Sequence, residues 1–197
     1  TGPRDYTEFP AQFMEHYAAE PEVLEIFALN YETGEVIPPE LVEKIRKART
    51  HNQGFKTTEY VAASLLDMKW HDLSSNEAAS VESARDFEVD TLNQYGKIEQ
   101  IEPRYRSAYF SHIFAGGYSA GYYAYLWSEI LDSDGFDAFK ETGDIYNPVL
   151  AKRLKEIFYE AGGKEEADIL YRKFRGKDPS IDPLLRNRGF PVGSAGS

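Results

Sequence analysis

Apolar residues recur at helical spacing along almost all of this 197-residue chain, and prolines and glycines mark where the helical segments begin and end. After Pro38 and Pro39, for example, Leu41, Ile45 and Ala48 repeat at i, i+4 and i+7, on one face of a helix. Only residues 97–110 suggest a short extended segment. The pattern therefore predicts an all-α fold with little or no sheet.

The same pattern predicts where the helices lie. Asn147 followed by Pro148 is a helix N-cap with proline at the first helical position, and residues 74–76 are expected to interrupt the helices. We expect one domain over residues 1–191 and a flexible tail over residues 192–197, which are mostly small. The predicted helices cover residues 9–19, 21–34, 38–48, 58–73, 87–95, 119–131, 148–162, 167–174 and 183–188.

Composition excludes several classes of partner. The formal net charge is −11, so a nucleic acid or an anionic membrane surface would find no basic stripe to dock on. No apolar run approaches the ~20 residues of a membrane span. The chain has no cysteine, which excludes disulfides and is compatible with the cytoplasmic location that we expect. It opens on Thr1 without a signal peptide, and we expect a piece of a longer protein.

Side chains that could bind a ligand or act in catalysis are most densely grouped in residues 103–131, PRYRSAYFSHIFAGGYSAGYYAYLWSEIL. Tyr118, Tyr122 and Tyr125 have the spacing of one helical face, and Gly116 and Gly117 precede them. A row of phenol hydroxyls beside a glycine pair suits a polar, extended ligand. The alternative is a packed core, because aromatic stripes at helical spacing usually face one. From the residues alone, both interpretations stay open.

Other reactive side chains are scattered. No two of the four histidines lie three or four residues apart, and the metal-binding motif His-Glu-x-x-His is missing from the sequence. Glu8 and Glu15 lie seven residues apart, where they would share a helical face and either bind a metal or remain solvated. Arg104 and Arg106 flank Tyr105 and are candidates for binding a carboxylate, or are ordinary surface charges.

Four segments resemble the thimet-oligopeptidase/dipeptidyl-carboxypeptidase family of zinc peptidases, especially its bacterial peptidyl-dipeptidase branch. They keep the family order and span nearly the whole chain. Members of the family carry His-Glu-x-x-His ahead of the region that this sequence resembles, so the resemblance implies the C-terminal helical portion of a zincin-type catalytic domain. The segments are PRDYTEFPAQFMEHY at residue 3, NQGFKTTEYVAASLLDMKWH at 52, PRYRSAYFSHIFAGGYSAGYYAYLW at 103 and YRKFRGKDPSIDPLLRNRGF at 171.

The resemblance also implies roles for single residues. Glu8 matches the third zinc ligand, and Tyr125 matches the phenol that hydrogen-bonds the developing oxyanion. His112 and Tyr118 match residues that hold the substrate backbone, and Tyr122 is a further substrate contact. Gly116 and Gly117 match a flexible loop that closes on the peptide. Arg104 and Arg106 receive no assigned role.

Three hypotheses follow. In the first, the chain is the substrate-side wall of a peptidase that hydrolyses short peptides, with zinc in the complete parent, no tight zinc on this chain, and no activity alone. In the second, it is a non-catalytic peptide-binding module. In the third, it is a structural domain that pairs with the missing N-terminal part of the parent or with itself, because truncation exposes apolar surface.

Overall fold

Helices joined by turns and loops make up the computed structural model, which describes residues 3–192. A single antiparallel bridge, Leu29 to Val36, is the only β pairing among those residues, so the all-α prediction is confirmed. The α-helices are α1 Phe9–Glu15, α2 Pro21–Phe27, α3 Pro39–Thr50, α4 Gln53–His71, α5 Ser75–Ser80, α6 Ala84–Gln94, α7 Ser111–Phe114, α8 Ala124–Thr142, α9 Pro148–Leu154, α10 Ala167–Arg175 and α11 Asp182–Asn187.

Shorter helical turns join several of these helices. They are the 3-10 turns Arg4–Tyr6, His16–Ala19 and Ser107–Tyr109 and the π-helix Lys155–Tyr159. Between residues 3 and 192, no helix has the length and apolar character needed to cross a bilayer. The predicted tail, apart from Val192, lies outside the described residues, and the boundary at residue 191 stays a prediction.

The chain divides into two compact units. Among the described residues, the first comprises residues 3–51 and 125–192, and the second comprises residues 52–124.

Aromatic rings fill the core of the first unit. Phe9 and Phe13 of α1 are fully buried, and the Phe13 ring packs edge-on against Phe136 and Phe139 of α8, each at 5.8 Å between centroids. Gly135 of α8 faces Phe13, and a Cβ at that glycine would lie 3.4 Å from the ring. Helix α1 therefore lies against α8 through close ring packing.

Acidic side chains of α8 bind the C-terminal helices of the first unit. Asp134, which is 1% exposed, accepts hydrogen bonds from the Tyr171 hydroxyl at 2.6 Å and from Arg175 Nε at 3.2 Å. Arg175 also forms a two-fold hydrogen bond with Glu141 at 2.7 and 2.6 Å. Further along, Arg188 Nε lies 3.2 Å from Glu129. The arginines of the last matched segment thus fix the C-terminal helices to α8.

The second unit is built around α4 and α6. Ala62 and Leu66 of α4 and Leu92 of α6 form its aliphatic core. Glu88 of α6, 2% exposed, accepts a hydrogen bond from the Ser107 backbone amide at 2.5 Å. Trp70 of α4 donates to the Ser107 hydroxyl at 2.7 Å, so this serine joins both helices to the loop that follows Gln94.

Several predicted boundaries are wrong. Residues 119–123 form turns, and α8 begins only at Ala124, so Tyr118, Tyr122 and Tyr125 do not share a helical face. The predicted break at residues 74–76 instead starts α5, because Ser74 and Glu77 form a reciprocal capping box. The extended segment at residues 97–110 is loop and a 3-10 turn. Helix α1 ends in a 3-10 turn, and α9 continues as a π-helix.

Candidate functional site

His112 lies within a cluster of aromatic rings in the second unit. Its imidazole packs 4.9 Å from the Tyr105 ring, 5.5 Å from Tyr122 and 6.2 Å from Tyr118, measured between centroids. His112 and Tyr118 are partly exposed, whereas Tyr122 is 3% exposed and also packs on Phe110 at 4.9 Å. The structure thus brings three predicted site residues together, with Tyr122 on the buried side.

The glycine pair forms a tight reversal between α7 and the turn that follows. Gly117 has a φ of +79°, in the left-handed region that favours glycine. A Cβ on Gly116 would lie 3.0 Å from both the Cα and the carbonyl oxygen of His112. The Tyr118 amide donates to that same carbonyl at 2.9 Å. The backbone after α7 therefore folds back onto His112.

Asp67 and Tyr60 of α4 hold the next turn. The two carboxylate oxygens of Asp67 accept hydrogen bonds from the backbone amides of Ala120 at 2.9 Å and Tyr122 at 2.8 Å. The Tyr60 hydroxyl donates to the Tyr122 carbonyl at 2.5 Å, and the two phenol rings stack at 5.1 Å. These polar bonds explain why the residues before Ala124 form turns instead of helix.

Glu8 and Tyr125 belong to the first unit. Glu8 directly precedes α1, is partly exposed, and its carboxylate does not cap the helix. Tyr125 is the second residue of α8 and is also partly exposed. Glu8 and Tyr125 therefore lie at the N-terminal ends of α1 and α8, the two helices that pack together through aromatic rings.

Three polar contacts along the start of the chain join it to successive turns of α8. On α8 the residues concerned are three and four positions apart, and on the other side they are seven and four apart, as one face of a helix requires. Ser128 Oγ donates to the Asp5 carbonyl at 2.9 Å, Gln12 Nε2 donates to the Tyr125 carbonyl at 3.2 Å, and His16 Nε2 lies 2.7 Å from Asp132 Oδ1.

The Asp132 carboxyl has an unusual environment. Its side chain is 2% exposed, and within residues 3–192 its Oδ2 atom has no hydrogen-bond partner. Burial raises the pKa of Asp132 from 3.8 to about 6, an effect opposed by the hydrogen bond to His16. The His16 ring stacks on Phe136 at 4.9 Å, which fixes the imidazole against the carboxyl group.

The two candidate arginines differ in their surroundings. Arg106 lies 3.4 Å from Glu102 and 4.0 Å from buried Glu88, so acidic side chains already engage it. Arg104 is exposed, and its guanidinium lies 5.9 Å from the centre of the Tyr105 ring. A hydrogen bond with the Tyr105 side chain is the main reason that the pKa of Arg104 is raised.

The metal donors within residues 3–192 do not fit a complete zinc site. Among the described residues, no three His, Asp, Glu or Cys side chains gather into a group that could hold a metal. A structural or catalytic zinc takes three or four protein ligands, and Glu8 would supply one.

Sequence reasoning missed Asp67, Gln12, His16 and Asp132. Asp67 lies inside a matched segment, but two of its partners are backbone amides 53 and 55 residues away, which no spacing rule reveals. Gln12 and His16 follow Glu8 at intervals of four, and that spacing was the one available signal.

These features define an all-α protein segment in which an imidazole, phenols and a glycine-rich turn lie together. Comparison with known proteins gives its family: the sequence signature of Peptidase family M3 matches residues 1–190, and the chain belongs to that family. The resemblance seen in the sequence is therefore confirmed.

Among individual proteins, the chain is similar to bacterial dipeptidyl carboxypeptidases and to oligopeptidase A. Dipeptidyl carboxypeptidase of Escherichia coli is 44% identical over 191 residues, which cover 96% of this chain and 28% of the relative. The Salmonella typhimurium protein of the same name is 42% identical, covering 95% of this chain and 27% of that protein. Oligopeptidase A of Escherichia coli is 35% identical over 95% of this chain and 27% of that protein. The chain thus spans little more than a quarter of these relatives.

Proposed function

We propose that this chain is the substrate-side wall of a zinc-dependent family M3 peptidase that hydrolyses short peptides and releases dipeptides from their C-terminus. The observation that carries the proposal is the 44% identity to a dipeptidyl carboxypeptidase over 96% of the chain. Glu8 is one zinc ligand, and the other ligands come from sequence outside these 197 residues. Zinc, when bound, would activate water and polarise the scissile carbonyl.

In this proposal the residues of the chain bind and orient the peptide. The Tyr125 hydroxyl donates a hydrogen bond to the oxygen that becomes negative in the transition state. His112 and Tyr118 hold the substrate backbone, which their partial exposure and adjacent rings support. A substrate contact by Tyr122 requires the turn to open, because that ring is 3% exposed.

The isolated chain should not hydrolyse peptides, because one carboxylate and an oxyanion donor do not make a hydrolytic site. Calorimetry should detect no stoichiometric tight zinc. Weak, saturable binding of short peptides that is lost in the Tyr118→Phe, Tyr125→Phe double variant would instead favour a non-catalytic peptide-binding module.

Tyr125 can be tested in a hybrid peptidase, defined as the Escherichia coli dipeptidyl carboxypeptidase with its matched segment replaced by residues 1–190 of this chain. Tyr125→Phe should lower kcat about 10²–10³-fold with little change in KM, since the hydrogen bond forms in the transition state. Tyr109→Phe, at a 58% exposed tyrosine of the same stretch, is the matched control. An unchanged kcat in Tyr125→Phe would refute the assigned role.

Seven exposed apolar side chains between residues 26 and 45 support an association with the remainder of the peptidase. They are 44% to 94% exposed: Ile26, Phe27, Leu29, Tyr31, Val36, Leu41 and Ile45. Apolar side chains left in water favour association. The isolated chain should therefore self-associate in light scattering, and charged substitutions at Ile26 and Ile45 should reduce that association. A monodisperse monomer at high concentration would contradict this part of the proposal.

A further inference from the structure

Asp67 is a buried carboxylate that the proposed chemistry does not use. Its residue exposure is 0%, yet it lies within α4, a helix that presents it to backbone amides instead of to solvent. Burying a charge is costly unless it is paired and hydrogen-bonded. Asp67 meets that requirement through the amides of Ala120 and Tyr122 and through His71 Nδ1, 2.8 Å from its Oδ1 atom.

The amides that donate hydrogen bonds to Asp67 belong to a turn whose backbone conformation is energetically unfavourable by itself. Ala120 has a φ of +51°, in the left-handed region, which a residue with a Cβ adopts only at an energetic cost. Gly121, between the two amide donors, bonds through its own amide to the Tyr118 carbonyl at 2.9 Å. One carboxylate therefore binds two backbone amides within the strained turn of residues 118–122.

The turn fixed by Asp67 carries two of the candidate substrate residues. Tyr118 starts it and Tyr122 ends it, and both rings pack on His112 at 6.2 and 5.5 Å. The Tyr60 hydroxyl, two helical turns before Asp67 on α4, adds a bond to the Tyr122 carbonyl. Tyr60 and Asp67 of α4 thus hold the backbone conformation of residues 118–122, and that conformation places the two phenols.

We propose that Asp67 is a positioning residue that sets the conformation of residues 118–122 and so places Tyr118 beside His112 for substrate. It touches no substrate itself and acts through the turn. The structural part of this inference stands alone, and its consequence for peptide binding rests on the proposed function.

Amide hydrogen exchange of the 197-residue chain tests the structural part. In Asp67→Asn one carboxylate oxygen becomes an amide nitrogen that cannot accept a hydrogen bond. At least one of the amides of Ala120 and Tyr122, the one that loses its acceptor, should exchange at least about tenfold faster, while the amides of Leu66 and Leu92 keep their protection. Asp72→Asn, at the exposed residue that follows α4, is the control. Unchanged protection at Ala120 and Tyr122 would overturn the proposal.

Steady-state kinetics of the hybrid peptidase test the consequence. Asp67→Asn should raise KM about tenfold with kcat within about twofold, because it disturbs substrate holding and leaves the Tyr125 hydroxyl unchanged. In the Asp67→Asn, Tyr118→Phe double variant, KM should be only slightly higher than in Tyr118→Phe alone, since both changes act through the same phenol. Independent, multiplying effects would show that Asp67 does not act through Tyr118 and would overturn the positioning role.

Two further measurements distinguish a variant that does not fold from a hybrid that is inactive. If Asp67→Asn does not fold, Tyr60→Phe removes the third bond to the same turn and should give the same pattern at smaller size. If the hybrid with the unchanged segment is inactive, the proposed function fails, and hydrogen exchange alone decides whether Asp67 holds the turn.

Discussion

At Gly116 the backbone passes so close to α7 that an added methyl group would be in tight contact with it. The two nearest atoms to an added Cβ are backbone atoms of His112, at 3.0 Å, and backbone cannot move aside as a flexible side chain can. The glycine pair predicted to form a flexible loop therefore has a packing requirement as well. Its role in closing on a peptide stays a prediction.

Gly116→Ala should lower the free energy of unfolding by about 1–3 kcal/mol, because the Cβ must displace the His112 backbone. The matched control is Gly54→Ala in α4, where a Cβ would meet nothing within 4 Å. That substitution should raise stability by about 0.4–1 kcal/mol, through the lower entropy of the unfolded chain. Chemical denaturation measures both variants, and equal effects would contradict the close approach at Gly116.

Asp132 gives the stability of the chain a pH dependence of unusual sign. Burial raises the pKa of its carboxyl from 3.8 to about 6, so the folded state binds this proton more tightly than the unfolded state does. Between about pH 4 and pH 6 the contribution of Asp132 to stability should fall as pH rises, by on the order of 1–3 kcal/mol. Paired surface carboxylates contribute in the opposite direction.

The difference in unfolding free energy between the unchanged chain and Asp132→Asn isolates this contribution. It should favour the unchanged chain more at pH 4 than at pH 7, as measured by urea denaturation across that range. Asp90→Asn, which alters an exposed carboxylate of α6, controls for the loss of one charge. A difference that is flat, or that grows with pH, would show that the buried carboxyl is not protonated in this window.

Helix α8 organises the first unit at the scale of elements. Its aromatic face packs on α1, and its acidic residues bind the arginines of the C-terminal helices. The segment that starts at residue 171 is one of the four that resemble the family, and its side chains bind α8. Its arginines and Tyr171 fix α10 and α11 in place.

Arg175→Ala should cost about 3 kcal/mol of stability, because Arg175 is 6% exposed and its loss leaves the buried Asp134 charge poorly compensated. Arg186→Ala is the control within the same segment, since that arginine is 53% exposed and pairs with partly exposed Asp137. The control should cost less than about 1 kcal/mol. Thermal denaturation of both variants checks the contrast, and similar losses would contradict it.

Elements with local signals were predictable from sequence. Asn147 caps α9 through hydrogen bonds to the amides of Val149 and Leu150, as its position before Pro148 indicated. The sequence also contains the residues of the Ser74 capping box, but the serine and asparagine residues beside it favour turns, so the pattern predicts a break there.

Tertiary bonds overrode the local pattern at the candidate site. The spacing of Tyr118, Tyr122 and Tyr125 is helical, yet Asp67 binds the amides of Ala120 and Tyr122 and keeps these residues in a turn. The partner is more than fifty residues away, so periodicity could not reveal it. For the same reason, spacing does not reveal that the His112 ring lies beside Tyr118, and the family resemblance implied only a shared substrate-holding role for the two residues.

At the scale of the whole molecule, we propose that the chain carries a part of a peptidase site. The proposed substrate-side residues lie in this chain, while the metal donors within residues 3–192 do not assemble into a site. The matched relatives are more than three times as long as the segment they share with this chain. The central claim is that these residues bind and orient a peptide for a zinc centre completed elsewhere.

The most direct test compares zinc-dependent cleavage of a short peptide with a blocked N-terminus by the isolated chain and by the hybrid peptidase. The isolated chain should show no cleavage above background, and the hybrid should release the C-terminal dipeptide and lose that activity in Glu8→Gln. Cleavage by the isolated chain, or full activity of the Glu8→Gln hybrid, would contradict the claim.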